Sequence, residues 1–423
     1  MPRQVDSIPR HKRILVAADL YWPPTIMGGP ITARRWSDRL AARGHDVTVL
    51  VPAPGAPGSP GAPGAEAAGG PRLLRFAAGV LPHWRRDVAA QLPILPRHPW
   101  RDVREAFDRV RPEVVHVHFV TPLGMVVARE ARRRRVPILG TNHALPEQAI
   151  EVYGRWVRTA TPRLYRALER LLWWHIVRFY NGCSAMTAPT SAALATYRQR
   201  GIVVPSEVVS NGIELNRLAA PLGAAEREAF LARHGVPPGR RIVLYAGRTN
   251  PEKRLDVLLD AFARLPATAN AHLVLTGGPT SLSTALVAAR GLGERVTITG
   301  ILDIEELPAA YRSADLLAHA SEVEAQGIAL LEAMAAGLPV VAAAAGAVSE
   351  TVAHEESGLL VPVGDAAAMA AAITRVLTDE PLRRRLGAEA RRRAAAHDVE
   401  RSVARIEQLL VELAGATATA GAG

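Results

Sequence analysis

Cysteine is nearly absent from this chain. A single thiol, Cys183, among 423 residues cannot close an internal disulfide, which predicts a reducing, cytoplasmic setting. No run of about 18 apolar residues is available to span a bilayer. The polar segment Met1 to Lys12 lacks the apolar core of an export signal. No G-x-G-x-x-G follows the first apolar segment, so a nicotinamide site has little support. His116, His118 and His143 fall near strand ends, but no Asp, Glu or Cys completes a ligand set with them, which argues against a metal site. Acidic residues are outnumbered, 40 against 51 Lys and Arg, for a net charge of +11. That excess favours phosphate-rich partners: nucleotides, nucleic acid or an anionic membrane surface. Charge alone does not choose among them, but no nucleic-acid motif or aromatic-interleaved sheet supports a nucleic-acid partner.

What is present is an alternation of short apolar runs and helical spacing, over a length that predicts two domains. Arg13 to Ala18 reads as a strand and runs into a Pro/Gly loop ending at Gly28, Gly29 and Pro30. Helical spacing from Ile31 to Arg43 and a strand from His45 to Val51 complete a βαβ unit. Its loop lies at the carboxyl end of the first strand, where open parallel sheets bind ligands. On residues alone, Gly28 and Gly29 either line such a site or simply turn the chain. Pro52 to Pro71, rich in Pro, Gly and Ala, reads as a flexible surface insertion. Helices over 103–110 and 123–135 alternate with strands over 112–118 and 136–143, bringing His143 to a strand's carboxyl end; His116 reads as a core histidine. Pro162 to Tyr180 is amphipathic. Arg155, Arg158, Arg163, Arg166, Arg170 and Arg178 crowd the region, with Trp156, Trp173 and Trp174. This fits either a helix lying on a membrane surface or a core helix with a solvated polar face.

The second half repeats the alternation. A strand over 241–246 leads into Gly247-Arg248-Thr-Asn-Pro-Glu-Lys253 and then a helix from Leu255 to Leu265. Basic side chains in a strand-to-helix loop suit an anion, although on residues alone Arg248 and Lys253 read first as surface charges. Further strands end at Gly277-Gly278 and at Gly300-Ile301. Then comes Glu324-Ala-Gln-Gly-Ile-Ala-Leu-Leu-Glu332. Gly327 opens a helix from Ile328, Gly337 suits a left-handed cap, and Pro339 bars continuation and starts a strand. The first-turn amides, reached past a glycine, favour an anion. Glu332 is polar within an apolar helix and needs a hydrogen-bond partner. Helices from Ala366 to about Ala414 close the pattern.

Two glutamates separated by seven residues, followed by Glu-Ala-Met-Ala-x-Gly-x-Pro-Val-Val, resemble the signature of family 4 glycosyltransferases. The Gly28-Gly29 loop, the central His143, Asn211-Gly-Ile and Gly-Arg248…Lys253 extend the resemblance over nearly the whole chain. It implies an α/β GT-B fold, two doubly wound Rossmann-like domains facing a cleft. The acceptor-side domain would span 1–205, the nucleotide-sugar domain 206–397, and a terminal helix over about 398–414 would cross back to the first. It implies a retaining, metal-independent hexosyltransferase without a cofactor, using a UDP- or GDP-hexose. Glu324 and His143 would meet the donor sugar, Glu332 the ribose, and Arg248 and Lys253 the diphosphate. Gly28, Gly29, Gly247, Gly327 and Ile328 would line the donor cleft, with Gly300 and Ile301 at the base. The nucleotide's leaving phosphate would help deprotonate the acceptor, so no side-chain base is needed. Ala325, Gln326 and Ala329 depart from the commoner Gly, Phe and Pro. The variant Glu-Ala-Gln-Gly and the loop Thr141 to Gln148 look like members that glycosylate membrane lipids, implying a cytoplasmic, peripheral membrane enzyme making a glycolipid. A soluble acceptor remains open. A nucleotide-sugar epimerase of similar fold is the rival enzyme class, and the two-glutamate motif argues against it.

Overall fold

The structure is a computed structural model and describes residues 11–18, 21, 28–54, 70–80, 93–96, 99–143, 145 and 161–420. Asp19, Leu20 and Trp22 to Met27 of the Pro/Gly loop, residues 55–69 of the stretch read as an insertion, Arg155, Trp156, Arg158 and most of the 144–148 loop lie outside the described residues.

Short, β-branched apolar runs form two sheets, each covered by helices as parallel strands require. The first contains β1 (Arg13–Ala17), β2 (Asp46–Pro54), β3 (Arg72–Val80), β4 (Pro93–Pro96), β5 (Val114–Val117), β6 (Ile138–Thr141), β7 (Ala185–Ala188) and β8 (Ser206–Val208). Their order is β4-β3-β2-β1-β5-β6-β7-β8; only β4 is antiparallel to its neighbour. The second contains β9 (Arg241–Ala246), β10 (Ala271–Thr276), β11 (Val296–Gly300), β12 (Leu316–His319), β13 (Val340–Ala343) and β14 (Gly358–Val361). It is parallel throughout, in the order β11-β10-β9-β12-β13-β14. These are the two Rossmann-like sheets of a GT-B fold.

Two features differ from the sequence reading. β2 runs to Pro54, inside the stretch read as an insertion, and β3 and β4 extend the sheet where no strand was expected. The Pro/Gly/Ala composition around them masks the period-2 signal, and β4 is a proline-bounded edge strand. Ser206–Val208, expected to open the second domain, instead pairs with β7 and completes the first sheet. The chain crosses over after it, at Ser210 to Ile213.

The Val399–Ala420 helix returns to the first domain. Val399, Val403, Ile406 and Leu410 bury against Ile14, Val16, Trp36 and Leu40. Arg39 and Arg43 reach Glu400 at 2.6 and 2.8 Å, and Arg43 reaches Glu407 at 2.7 Å. Other contacts bridge the cleft directly. Thr190 Oγ1 donates to the Ala325 carbonyl at 2.7 Å. The Glu350 carboxylate accepts from the amides of Ser191 and Ala192 at 3.0 Å each, capping a first-domain helix from the second domain. Among the described residues no helix is long and apolar enough to cross a membrane.

Candidate functional site

Gly327 is the turning point of the site. Its φ of +78° lies in the left-handed region, and a Cβ there would sit 2.6 Å from Leu330 Cδ1, so glycine is required. The turn opens the Ile328–Ala335 helix, whose N-cap is Gly327 with no side-chain cap bond. Opposite stands Gly28, first residue of the Gly28–Ala42 helix, where an added Cβ would lie 2.8 Å from Ile328 Cδ1. The helix thus starts three residues earlier than the spacing predicted, and two helix N-termini face each other across the cleft. Gly29 packs on Phe119 and on the Cβ of His143.

Lys253 and Glu324, 71 positions apart, meet at 2.5 Å between Nζ and Oε1, both buried. His319 Nε2 lies 2.8 Å from the same oxygen. Burial alone would raise the Glu324 pKa; the Lys253 charge and His319 overcome it and hold the carboxyl well below the usual range. Oε2 has no hydrogen-bond partner among the described residues. Arg248 is held more loosely, 3.4 Å from Glu252 Oε1. Glu252 is fully buried, and its second oxygen has no partner among the described residues. At the sheet's edge the Gly277 amide donates to Gly300 O at 2.7 Å, and Ile301, half-exposed, lies against Gly278.

Glu332 sits one helical turn deeper in a separate small pocket with Arg35, Glu214, Arg217 and Ile304. The Tyr311 hydroxyl donates to its Oε2 at 2.9 Å, the partner its apolar helix demanded. Burial raises its pKa, against the pull of Arg35. The structure therefore divides the expected donor residues: Lys253, Glu324 and the helix start lie together, Glu332 lies apart with Arg35.

His143 is engaged at both ring nitrogens. Nδ1 lies 2.6 Å from Asn211 Oδ1 and Nε2 lies 2.8 Å from His118 Nδ1. This differs from the free donor a sugar contact through the ring would need. Burial pushes its pKa down to about 4 and that of His116 down to about 3, so both rings are neutral near pH 7. A neutral His143 that donates from Nδ1 accepts at Nε2. Asn211 is itself pinned: its amide donates to Gln326 Oε1 at 3.1 Å, and Gln326 Nε2 donates to Ser210 Oγ at 2.6 Å. Gln326 replaces an apolar residue commoner in the motif, and that polar departure was the one sequence signal for this bridge. His319 and Tyr311 carried no such signal. Because an unfolded imidazole binds its proton near 6.5 and the folded His143 only near about 4, folding stability should fall as pH drops through that window. His143→Gln should flatten the slope by up to about 1.4 kcal/mol per pH unit. Denaturant titrations between neutral and acid pH check this, and parallel slopes for both proteins would contradict it.

Two family models match the chain one after the other: Glycosyltransferase Family 4 over residues 27–217 and Glycosyl transferases group 1 over residues 226–393. The chain belongs to glycosyltransferase family 4. It is 36% identical over 224 residues to a D-inositol 3-phosphate glycosyltransferase of Salinispora arenicola, an alignment covering 50% of each protein. The chain thus spans about half the length of the first curated relatives it matches. A GDP-mannose-dependent alpha-mannosyltransferase of Corynebacterium glutamicum is 28% identical over 367 residues, 85% of this chain and 79% of the relative. Among solved structures, a sucrose-phosphate synthase of Thermosynechococcus elongatus superposes with a TM-score of 0.76 at 24% identity, over 95% of this chain and 99% of that one. The likeness extends the GT-B architecture over both domains.

Proposed function

We propose that this family 4 protein transfers a hexose, with retention, from a nucleotide-sugar to an acceptor hydroxyl. The observation that carries the reading is the buried Lys253–Glu324 pair beside the Ile328 helix start. One N–H of Lys253 orders Glu324, and the other two remain for the donor's phosphates. Glu324 Oε2 is left for sugar hydroxyls. Arg248, loosely tethered, adds a second cation where negative charge builds on the leaving diphosphate. Glu332 presents its Oε1 to the ribose while Tyr311 fixes Oε2.

Donor and acceptor follow less directly. The corynebacterial relative's name supports GDP-mannose; UDP-hexoses are the other class. For the acceptor we favour a membrane lipid, on the outward face of the first domain described below. A soluble inositol phosphate is the second reading, supported by the names of the half-length relatives. Nucleotide release measured for UDP- and GDP-hexoses against a lipid extract and against inositol 3-phosphate tests both. Release without any acceptor, with the sugar altered rather than transferred, would overturn transfer itself.

Glu332→Gln should weaken UDP or GDP binding by about 1.5–3 kcal/mol, the range of a charged hydrogen bond. Calorimetry reads this directly, and unchanged affinity removes the ribose assignment.

A further inference from the structure

The Pro162–Tyr180 helix has two apolar faces, and the core accounts for one of them. Trp173, Ile176, Phe179 and Tyr180 are buried in the first domain's core. Leu164, Leu168, Leu171 and Trp174 are exposed by 51, 50, 60 and 57%. At 3.6 residues per turn these four centre roughly 145° round the axis from the buried four, spread over roughly 120°. A surface helix should be polar there; this one is apolar.

Arginine accompanies the row. Arg163, Arg166 and Arg170 are exposed along one side of it, and the Arg178 guanidinium lies 5.7 Å from the centre of the Trp174 ring. The helix's one acid, Glu169, is on the other flank, 3.3 Å from Arg200. The surface continues onto the Pro122–Arg133 helix. His175 meets Met125 at 3.0 Å, and one turn further Arg129 sits 5.4 Å from the centre of the Trp100 ring, itself 44% exposed.

We propose that this ridge docks the protein onto an anionic bilayer, with the leucines at the acyl boundary and the tryptophans and arginines among the headgroups. The inference deepens the lipid-acceptor reading and rests on it for its purpose, though not for its observations. Charge complementarity selects the occupant. A second copy would bring one arginine row against another, which repels. An anionic surface satisfies the arginines and the leucines together, and each arginine near it contributes about fivefold in partitioning. The ridge belongs to the acceptor-side domain, so docking would bring a lipid hydroxyl towards the cleft.

The test is sedimentation of the full chain with vesicles of phosphatidylcholine, with and without phosphatidylglycerol, at low and moderate salt. Binding should require the anionic lipid and weaken with salt. Arg163→Gln with Arg170→Gln should lower partitioning by about 25-fold, and Leu168→Gln with Leu171→Gln should abolish it. These side chains are exposed, so the melting temperature and the affinity for UDP and GDP should hold at wild-type levels. Wild-type failure to bind anionic vesicles at low salt overturns the proposal. Equal binding by wild type and both variants overturns it too, as does a dimer dissolved by the leucine changes in a protein that ignores vesicles. Docking through this ridge with transfer only to inositol 3-phosphate would sink the lipid-acceptor reading and leave the surface standing.

Discussion

Lys253→Ala should lower kcat by about 10²–10³ and also remove about 3–5 kcal/mol of folding stability. The first effect is the loss of one preorganised donor to the developing diphosphate charge. The second follows from where the lysine sits. Both partners of the Lys253–Glu324 contact are buried, and the only other described neighbour bonded to the carboxylate is His319. Truncating the lysine strands an ionised carboxylate in a site with little water to solvate it, and breaking a buried pair on one side costs more than the pair contributes. A double variant, Lys253→Ala with Glu324→Gln, removes the stranded charge and should recover most of the stability while leaving kcat low. Denaturation midpoints and turnover with the best donor separate the two effects. A stable single variant would mean that Glu324 is not held in the charged state described; near-wild-type turnover would place the phosphate contact elsewhere.

That coupling between chemistry and folding was not legible in the sequence, whereas the individual residues were. The strand–loop–helix alternation follows from local periodicity, and Gly327 and Gly337, at φ +78° and +82°, are backbone requirements that a sequence displays openly. Gly-Arg248…Lys253 and Glu324…Glu332 stood out by their resemblance to the family's motifs. Their partnership did not, because it depends on β9 and β12 lying side by side in the sheet, a topological fact with no local signature. The same holds for Asn211. It sits at the crossover between domains and joins His143 of the first to Gln326 of the second, with each contact spanning dozens of residues. The Pro162–Tyr180 helix shows the opposite case. Its bounds were readable to the residue, yet only its packing reveals which apolar face the core leaves uncovered.

Arg248→Ala should also lower kcat by about 10²–10³, with a smaller loss of folding stability than Lys253→Ala. Its side chain is about one-third exposed, and the Glu252 contact at 3.4 Å is long for an ion pair, so solvent screens much of what the pair contributes. Because the guanidinium meets charge that grows as the glycosidic bond breaks, turnover should fall further than donor affinity. Arg248→Lys keeps a charge and loses the planar fork, so it should recover only part of the rate. Glu252 provides the sharper control. It is fully buried with one oxygen unpartnered among the described residues, and without Arg248 it is a lone carboxylate near a site that must receive a diphosphate. If Arg248 acts by neutralising Glu252, adding Glu252→Gln to Arg248→Ala restores turnover. If Arg248 acts on the phosphates themselves, the double variant stays as slow as the single one, and that is the expected outcome.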